Sequence, residues 1–192
     1  MQGVGTNFAG HLVIAAQPSD SVMFTNGNIK LGAGKILDVT AGSVTLGNVT
    51  FSGGTISFNG GSVQMNIGGR TPGSAANQYS RFTVNGGILL SNSPALNLYG
   101  SYGPRPGDSF MLITNDGGDA IVGTFAGLPE GATLNFNGLD FQITYTGGNG
   151  NDVVITSTIA PDNHAPAVDT LANYTVNAGA LLPPTVAGIL IV

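Results

Sequence analysis

The residues best suited to binding chemistry form a glycine-rich stretch near the end of the chain, where residues 147–155 have the sequence GGNGNDVVI. This string fits the calcium nonapeptide G-G-x-G-x-D-x-U-x, with Asp152 as the ligating carboxylate. Calcium takes about six to eight oxygen ligands, and in such repeats each ion is shared between consecutive turns. The motif occurs once here, and the nine residues on either side hold one acid each, Asp140 and Asp162.

A single turn offers too few oxygens, so the motif predicts millimolar calcium binding at best. We interpret residues 147–151 as a β-turn whose glycines supply positive φ, and Asp152 as the cap of the following strand. No metal site is therefore predicted, and the weak candidates are Asp152, Asp162 and Asn163. No cofactor is predicted, and calcium is the alternative that stays open.

Residue types suited to catalysis are few and dispersed. The two histidines, His11 and His164, lie outside the segments that read as strands, and a Ser-His-Asp arrangement would need one of them. Glycoside hydrolysis needs two opposed carboxylates. The nearest pair, Asp116 and Asp119, sits in a glycine-rich turn, where an aspartate usually bonds its own backbone. The sequence therefore predicts a protein that is not an enzyme.

Charge narrows the classes of partner. Charged residues make up 8% of the chain, against roughly 25% in an average soluble domain. Five basic residues and a net charge of −5 leave no basic stripe for nucleic acid. The apolar run at residues 187–192 is far shorter than the roughly 20 residues of a membrane span. We expect neither nucleic acid as a partner nor a membrane span.

The composition indicates an all-β fold. Hydrophobic residues make up 42% of the chain, which is too much for a disordered segment. The chain holds 31 glycines, which are costly inside helices, and it is rich in Asn, Thr and β-branched residues, which suit turns and strands.

A short pattern recurs from residue 22 to about residue 100: apolar, polar, apolar, then Gly or Asn. Its period of two indicates strands of about three to five residues. Strands this short favour a parallel β-solenoid, whose rungs stack about 4.8 Å apart with two apolar residues of each strand facing inward. An antiparallel meander is the alternative. In the solenoid the middle polar residues face solvent: Thr45, Thr50, Ser57, Gln64 and Thr83.

The pattern changes near Gly103. Five strands are then predicted at residues 109–115, 121–125, 132–137, 139–146 and 152–158. Asn137-Gly138 between two of them is a strong signal for a two-residue hairpin. This segment reads as an antiparallel β-meander that caps the open end of the solenoid.

Three strings carry a resemblance to a known family: GDSFMLITN at residues 107–115, GTFAGLPEGA at 123–132 and FQITYTGGNGNDVV at 141–154. Together they resemble the closing module of large bacterial surface proteins built on autotransporter-like β-solenoid repeats. The resemblance implies a secreted or surface-exposed passenger or stalk region without enzymatic activity.

The tail resembles the start of an Ig-like or cadherin-like repeat, with NHAPAV at residues 163–168 as the interdomain junction and YTVNAG at 174–179 as the first strand. Two features depart from that pattern. Ala178 stands where such repeats usually carry an acid, and Pro183-Pro184 stands where they continue a strand. The repeat is therefore read as incomplete.

These readings divide the chain into five parts. We expect a leader or fragment start at 1–21, β-solenoid rungs at 22–103, an antiparallel β cap at 104–158, a linker at 159–166 and an incomplete Ig-like or cadherin-like repeat at 167–192.

The expected function is that of a structural stalk or passenger segment of a large adhesin-like protein, secreted or at the cell surface, whose partners are neighbouring domains of the same long chain. The alternative is a carbohydrate-binding or polysaccharide-cleaving β-helix module with surface polysaccharide as the partner. In that alternative exposed aromatic residues such as Tyr99 and Tyr102 would stack on sugars.

Overall fold

The computed structural model describes residues 12–15, 21–30, 36–40, 42–115 and 118–159. Within these ranges the chain forms strands and no helix, which confirms the all-β prediction. In that described part there is accordingly no helix of the length and hydrophobicity needed to cross a bilayer. The strands are β1 Leu12–Ala15, β2 Ser21–Lys30, β3 Ile36–Thr40, β4 Ser43–Asn59, β5 Ser62–Asn66, β6 Phe82–Ser91, β7 Ala95–Tyr99, β8 Ser109–Asn115, β9 Val122–Gly123, β10 Thr133–Phe136, β11 Leu139–Gly147 and β12 Asp152–Ser157.

Several sequence predictions fall outside the described residues. They are the repeat at 167–192, nearly all of the linker and most of the leader, together with His11, Asp116, Asp162, Asn163 and His164.

The strands belong to one mixed sheet, and the short repeats within it pair in parallel. Their register defines three columns of stacked strand segments. The first column comprises residues 22–24, 44–46, 63–65 and 96–98. The second comprises residues 27–29, 49–51, 82–84 and 113–115. The third comprises residues 12–14, 37–39, 56–58, 88–90 and 122–123.

The strand β4 contributes to all three columns. It passes from the second column to the third at Gly53 and Gly54, which both have positive φ. Glycine adopts this conformation without the steric cost of a Cβ atom, so the chain changes direction there within two residues.

Each segment of β4 and β5 buries its two apolar residues and turns the residue between them outward, as the alternation predicts. Val44 and Leu46 are buried with Thr45 between them, and Val63 and Met65 are buried with Gln64 between them. Ser57 differs, because it is only 5% exposed. It lies between Asp38 and Leu89 of the neighbouring strands, which cover it from both sides.

The C-terminal strands are antiparallel in the order β8-β12-β11-β10. Asn137 and Gly138, both with positive φ, join β10 to β11 as a two-residue turn, which confirms the predicted hairpin. The predicted cap at 104–158 is not antiparallel throughout, because β8 and β9 also pair in parallel with β6.

Phe110 of β8 packs the loop residues Tyr79 and Tyr102 against this antiparallel part. It is fully buried, and the rings of Tyr79, Tyr102 and Phe141 lie 5.4, 6.0 and 5.8 Å from its ring centre. The first two contacts are edge-on, an arrangement that adds about 0.5–1.5 kcal/mol per pair beyond area burial.

Close pairing of β4 and β6 makes Gly86 a position where a side chain has no room. A Cβ atom there would collide with the carbonyl oxygen of Gly54 in the neighbouring strand. We expect Gly86→Ala to lower the free energy of unfolding by about 1–3 kcal/mol, the usual cost of forcing extra volume into a packed site. Urea denaturation followed by circular dichroism measures this change.

Gly103→Ala is the matched control, because a Cβ atom at Gly103 meets nothing within 4 Å. We expect it to change stability by no more than about 0.5 kcal/mol. Equal losses in the two variants would show that the contact between Gly86 and Gly54 does not limit the packing.

Candidate functional site

A groove of about 390 Å³ lies over the outer surface of the first column. Its floor includes Met23, Thr45 and Tyr99, which belong to β2, β4 and β7. Two loops supply its walls, the 67–80 loop through residues 73–76 and Ser80, and the 100–108 loop through Gly100 and Ser101.

The loops arise from unequal spacing of the strands in the first column. Ser43 pairs with Ser62, nineteen residues later, whereas Ser62 pairs with Ala95, thirty-three residues later. Most of the additional length forms the 67–80 loop after β5, and the 100–108 loop follows the next strand of the same column, β7. Insertions in successive repeats that emerge at the same side often form a binding face.

The 67–80 loop is held by hydrogen bonds within the loop and by one from the side chain of Asn66. Gln78 is its anchor: its carbonyl oxygen accepts hydrogen bonds from the Gly68 amide at 3.0 Å and the Asn66 side-chain amide at 2.8 Å. The Gln78 side chain also accepts the Ala75 amide at 3.0 Å. Gly68 packs so closely that a Cβ atom there would collide with the Ala76 carbonyl oxygen. The wall of the groove is therefore tightly packed and internally hydrogen-bonded.

Asp108 fixes the 100–108 loop and ties it to the 67–80 loop. Its side chain is 3% exposed, and the carboxylate accepts hydrogen bonds from the Tyr102 hydroxyl at 2.9 Å and the Arg105 backbone amide at 2.7 Å. It also forms an ion pair with Arg70 of the first loop. Burial raises the pKa of Tyr102, and the hydrogen bond to Asp108 raises it further. The hydrogen bond and charge of Asp108 raise the pKa of Arg70 as well.

The 100–108 loop is also fastened to the C-terminal hairpin. The Asn137 side chain donates hydrogen bonds to the carbonyl oxygens of Gly100, at 3.2 Å, and Tyr102, at 2.9 Å. The two groove walls are thus connected to each other and to the antiparallel strands.

The two aromatic residues suggested for sugar contact differ in availability. Tyr99 is 44% exposed and lines the groove. Tyr102 is half-buried, with its hydroxyl on Asp108 and its ring against Phe110. Only Tyr99 of this pair therefore offers an exposed ring to a ligand.

Comparison of the chain with protein-family models, with curated proteins and with solved structures finds no match.

The glycine-rich motif forms a turn, as predicted. The Gly150 amide donates to the Gly147 carbonyl oxygen at 2.8 Å, and Gly148 and Gly150 have positive φ. Asp152 opens β12 and is 3% exposed. One oxygen of its carboxylate accepts a hydrogen bond from the backbone amide of Asn115 at 2.7 Å, which ties β12 to the neighbouring strand β8. The other oxygen packs so closely on Gly148 that a Cβ atom there would collide with it.

Asp119 lies near the hydrogen bond between Asn115 and Asp152, and its backbone carbonyl oxygen accepts two further hydrogen bonds. The side-chain amides of Asn115 and Asn151 donate to its carbonyl oxygen at 2.7 and 3.1 Å. Within the described ranges, no three His, Cys, Asp or Glu side chains are grouped so that they could hold a metal ion.

Sequence reasoning missed most of the groove. It named Tyr99 but not Met23, Asn66 or the 67–80 loop, because the polar and small residues of that loop read as an ordinary connection. The signal that could have found it is the change in strand spacing from nineteen to thirty-three residues within one column.

The buried carboxylate of Asp152 yields a prediction about stability and calcium. Asp152→Ala should lower the free energy of unfolding by about 1.5–3 kcal/mol, because a buried amide loses a charged acceptor. The loss should be the same with and without calcium, and calorimetric titration should give no heat at micromolar calcium.

Asp140→Ala serves as the control. Asp140 is exposed, and its carboxylate accepts a hydrogen bond from the exposed side chain of Asn135. We expect a change within about 0.5 kcal/mol. A micromolar calcium site that disappears in Asp152→Ala would contradict the structural role.

Proposed function

We propose that the three columns of strand segments form a parallel β-solenoid and that the chain is a structural stalk segment of a large surface or secreted protein. One observation carries the proposal: strand segments far apart in sequence repeat in parallel register along three columns. A solenoid gives that arrangement because each rung contacts only its neighbours.

The outward residues of the columns support a spacer role. In the second column Thr50 pairs with Thr83, and in the first column Thr45 pairs with Gln64. Stacked like charges would repel one another, whereas stacked hydroxyl and amide side chains do not. These surfaces favour a rod that tolerates many similar rungs.

The antiparallel strands and the resemblance suggest the setting. The three strings at residues 107–154 resemble closing modules of bacterial surface proteins, and β12 covers the edge of β8. We propose that the chain lies outside the cell, that neighbouring domains of the same long chain are its partners, and that it spaces adhesive modules without catalysing a reaction or needing a cofactor.

Removal of one complete rung tests the solenoid. Deletion of residues 43–61 removes one nineteen-residue repeat and brings Ser62 to the position of Ser43. The remaining segments can then pair again, because β6 replaces β4 against β2 and β3 in the other two columns. We expect the variant to keep a strand-rich circular dichroism spectrum and a single cooperative unfolding transition.

The control deletes residues 43–52, about half of that repeat, and brings Gly53 and Gly54 into the first column. This variant should lose cooperative unfolding, since Gly54 takes the inward position of Val44 and the second-column segment 49–51 is lost. The solenoid proposal is wrong if the one-rung deletion also loses cooperative unfolding, as removal of a central strand from any other sheet would cause.

Antibody binding to a tagged chain on intact cells tests whether the protein lies outside the cell, and an activity assay tests the non-enzymatic role. An epitope tag inserted at Gly103, which is exposed and has free space around it, should bind antibody on intact source cells. Binding only after the cells are permeabilised would contradict a surface stalk. A hydrolytic activity on polysaccharide by the purified chain would contradict the non-enzymatic role.

A further inference from the structure

The groove over the first column has a surface chemistry that a plain spacer does not need. Its lining residues include no Asp, Glu, Lys or Arg. They offer hydroxyl groups from Thr45, Ser74 and Ser101, and two large exposed side chains, Met23 at 60% and Tyr99 at 44%. The groove therefore combines an exposed aromatic ring with several neutral donors and acceptors.

We propose that this groove binds an uncharged oligosaccharide. The ring of Tyr99 packs against the C–H face of a sugar, and the surrounding hydroxyl groups bond to the sugar hydroxyls. Serine and threonine hydroxyls both donate and accept, so they match ligands whose own groups do both. Its volume of about 390 Å³ falls within the usual range of small-ligand sites.

The direction of the groove fits an extended ligand. Met23 pairs with Thr45 in the first column, and Asn66 pairs with Tyr99 two positions further along. The floor therefore crosses four neighbouring strands, β2, β4, β5 and β7, and spans about 14 Å at the usual strand separation of about 4.8 Å. A short oligosaccharide lying across the strands matches that length.

Other ligand classes fit the groove less well. A peptide that adds to a sheet pairs with the free edge of a strand, whereas this groove lies on the outer face of strands that are paired with one another. A charged glycan or an acidic peptide needs opposite charges, which the lining does not supply. A lipid needs a wide apolar surface. Met23 is the one large exposed aliphatic side chain among the described residues that line the groove, and by itself it does not form such a surface.

The rigidity of the groove walls lowers the free-energy cost of binding a ligand. Gln78 and Asp108 fix the two loops before any ligand arrives. Little ordering of the protein is then required on binding, which removes one of the main costs of association. Because one ring and a few neutral hydrogen bonds hold the ligand, we expect weak binding, with dissociation constants of about 1 mM.

The experiment titrates the whole chain, labelled with ¹⁵N, with neutral gluco-, manno- and xylo-oligosaccharides and with oligogalacturonate as the charged comparison. At least one neutral series should shift the amide signals of Tyr99, Ser101 and residues 73–76, and oligogalacturonate should not. Tyr99→Ala should weaken binding by about tenfold, and Tyr99→Phe, which keeps the ring, should stay within about threefold of the original chain.

Two further variants separate the groove from general effects. Ser74→Trp places a large ring at an exposed position of the groove wall and should abolish binding by filling the space. Val122→Ala removes an exposed apolar side chain from the third column and should leave binding unchanged. Unchanged backbone spectra away from the groove would show that each variant is folded.

The proposal is overturned if no neutral oligosaccharide at about 10 mM shifts groove signals, or if Tyr99→Ala binds as well as the original chain. Shifts of the same signals on raising the protein concentration alone would assign the groove to self-association instead. The solenoid and stalk proposals are unaffected by either result, because they rest on the strand register.

Discussion

The inward-facing apolar pairs of the strand segments in β4, β5 and β6 are the constraint on which the rest of the structure depends. Where one residue of the pair lies over its counterpart in the next strand, as Val44 lies between Val22 and Val63, the core continues without a gap. A shift by one residue would turn both members outward, because side chains alternate between the two faces of a strand. The register is therefore specified by burial, and the outward positions are free to vary.

That freedom separates the groove from the core. The segments between columns need only return the chain to the same register, so the spacing in the first column can change from nineteen to thirty-three residues while Val63 still pairs with Leu96. The longer connections emerge on one side and are fixed there by Asp108 and Gln78. The exposed residues 74–76 of the groove wall can therefore vary without altering the paired apolar residues of the columns.

The sequence was informative wherever structure is decided by neighbouring residues. Period-two alternation predicted the strands, and Asn137-Gly138 predicted the hairpin, because a tight turn depends on residues with access to positive φ. The turn at 147–151 followed for the same reason. Contacts between distant segments were not predictable from local pattern. The burial of Ser57, the ion pair of Arg70 with Asp108 and the bond from Asn115 to Asp152 each join residues that no local signal links.

The strand β8 has neighbours of opposite direction, since it runs parallel to β6 and antiparallel to β12. Its outer edge is therefore already paired by the chain itself. The antiparallel series then ends at β10, a strand of four residues that presents few unpaired backbone groups. Open strand edges are templates on which further chains add to form fibrils. The reversal of direction at β8 thus acts as a built-in stop, which keeps the second column from growing end to end into a polymer.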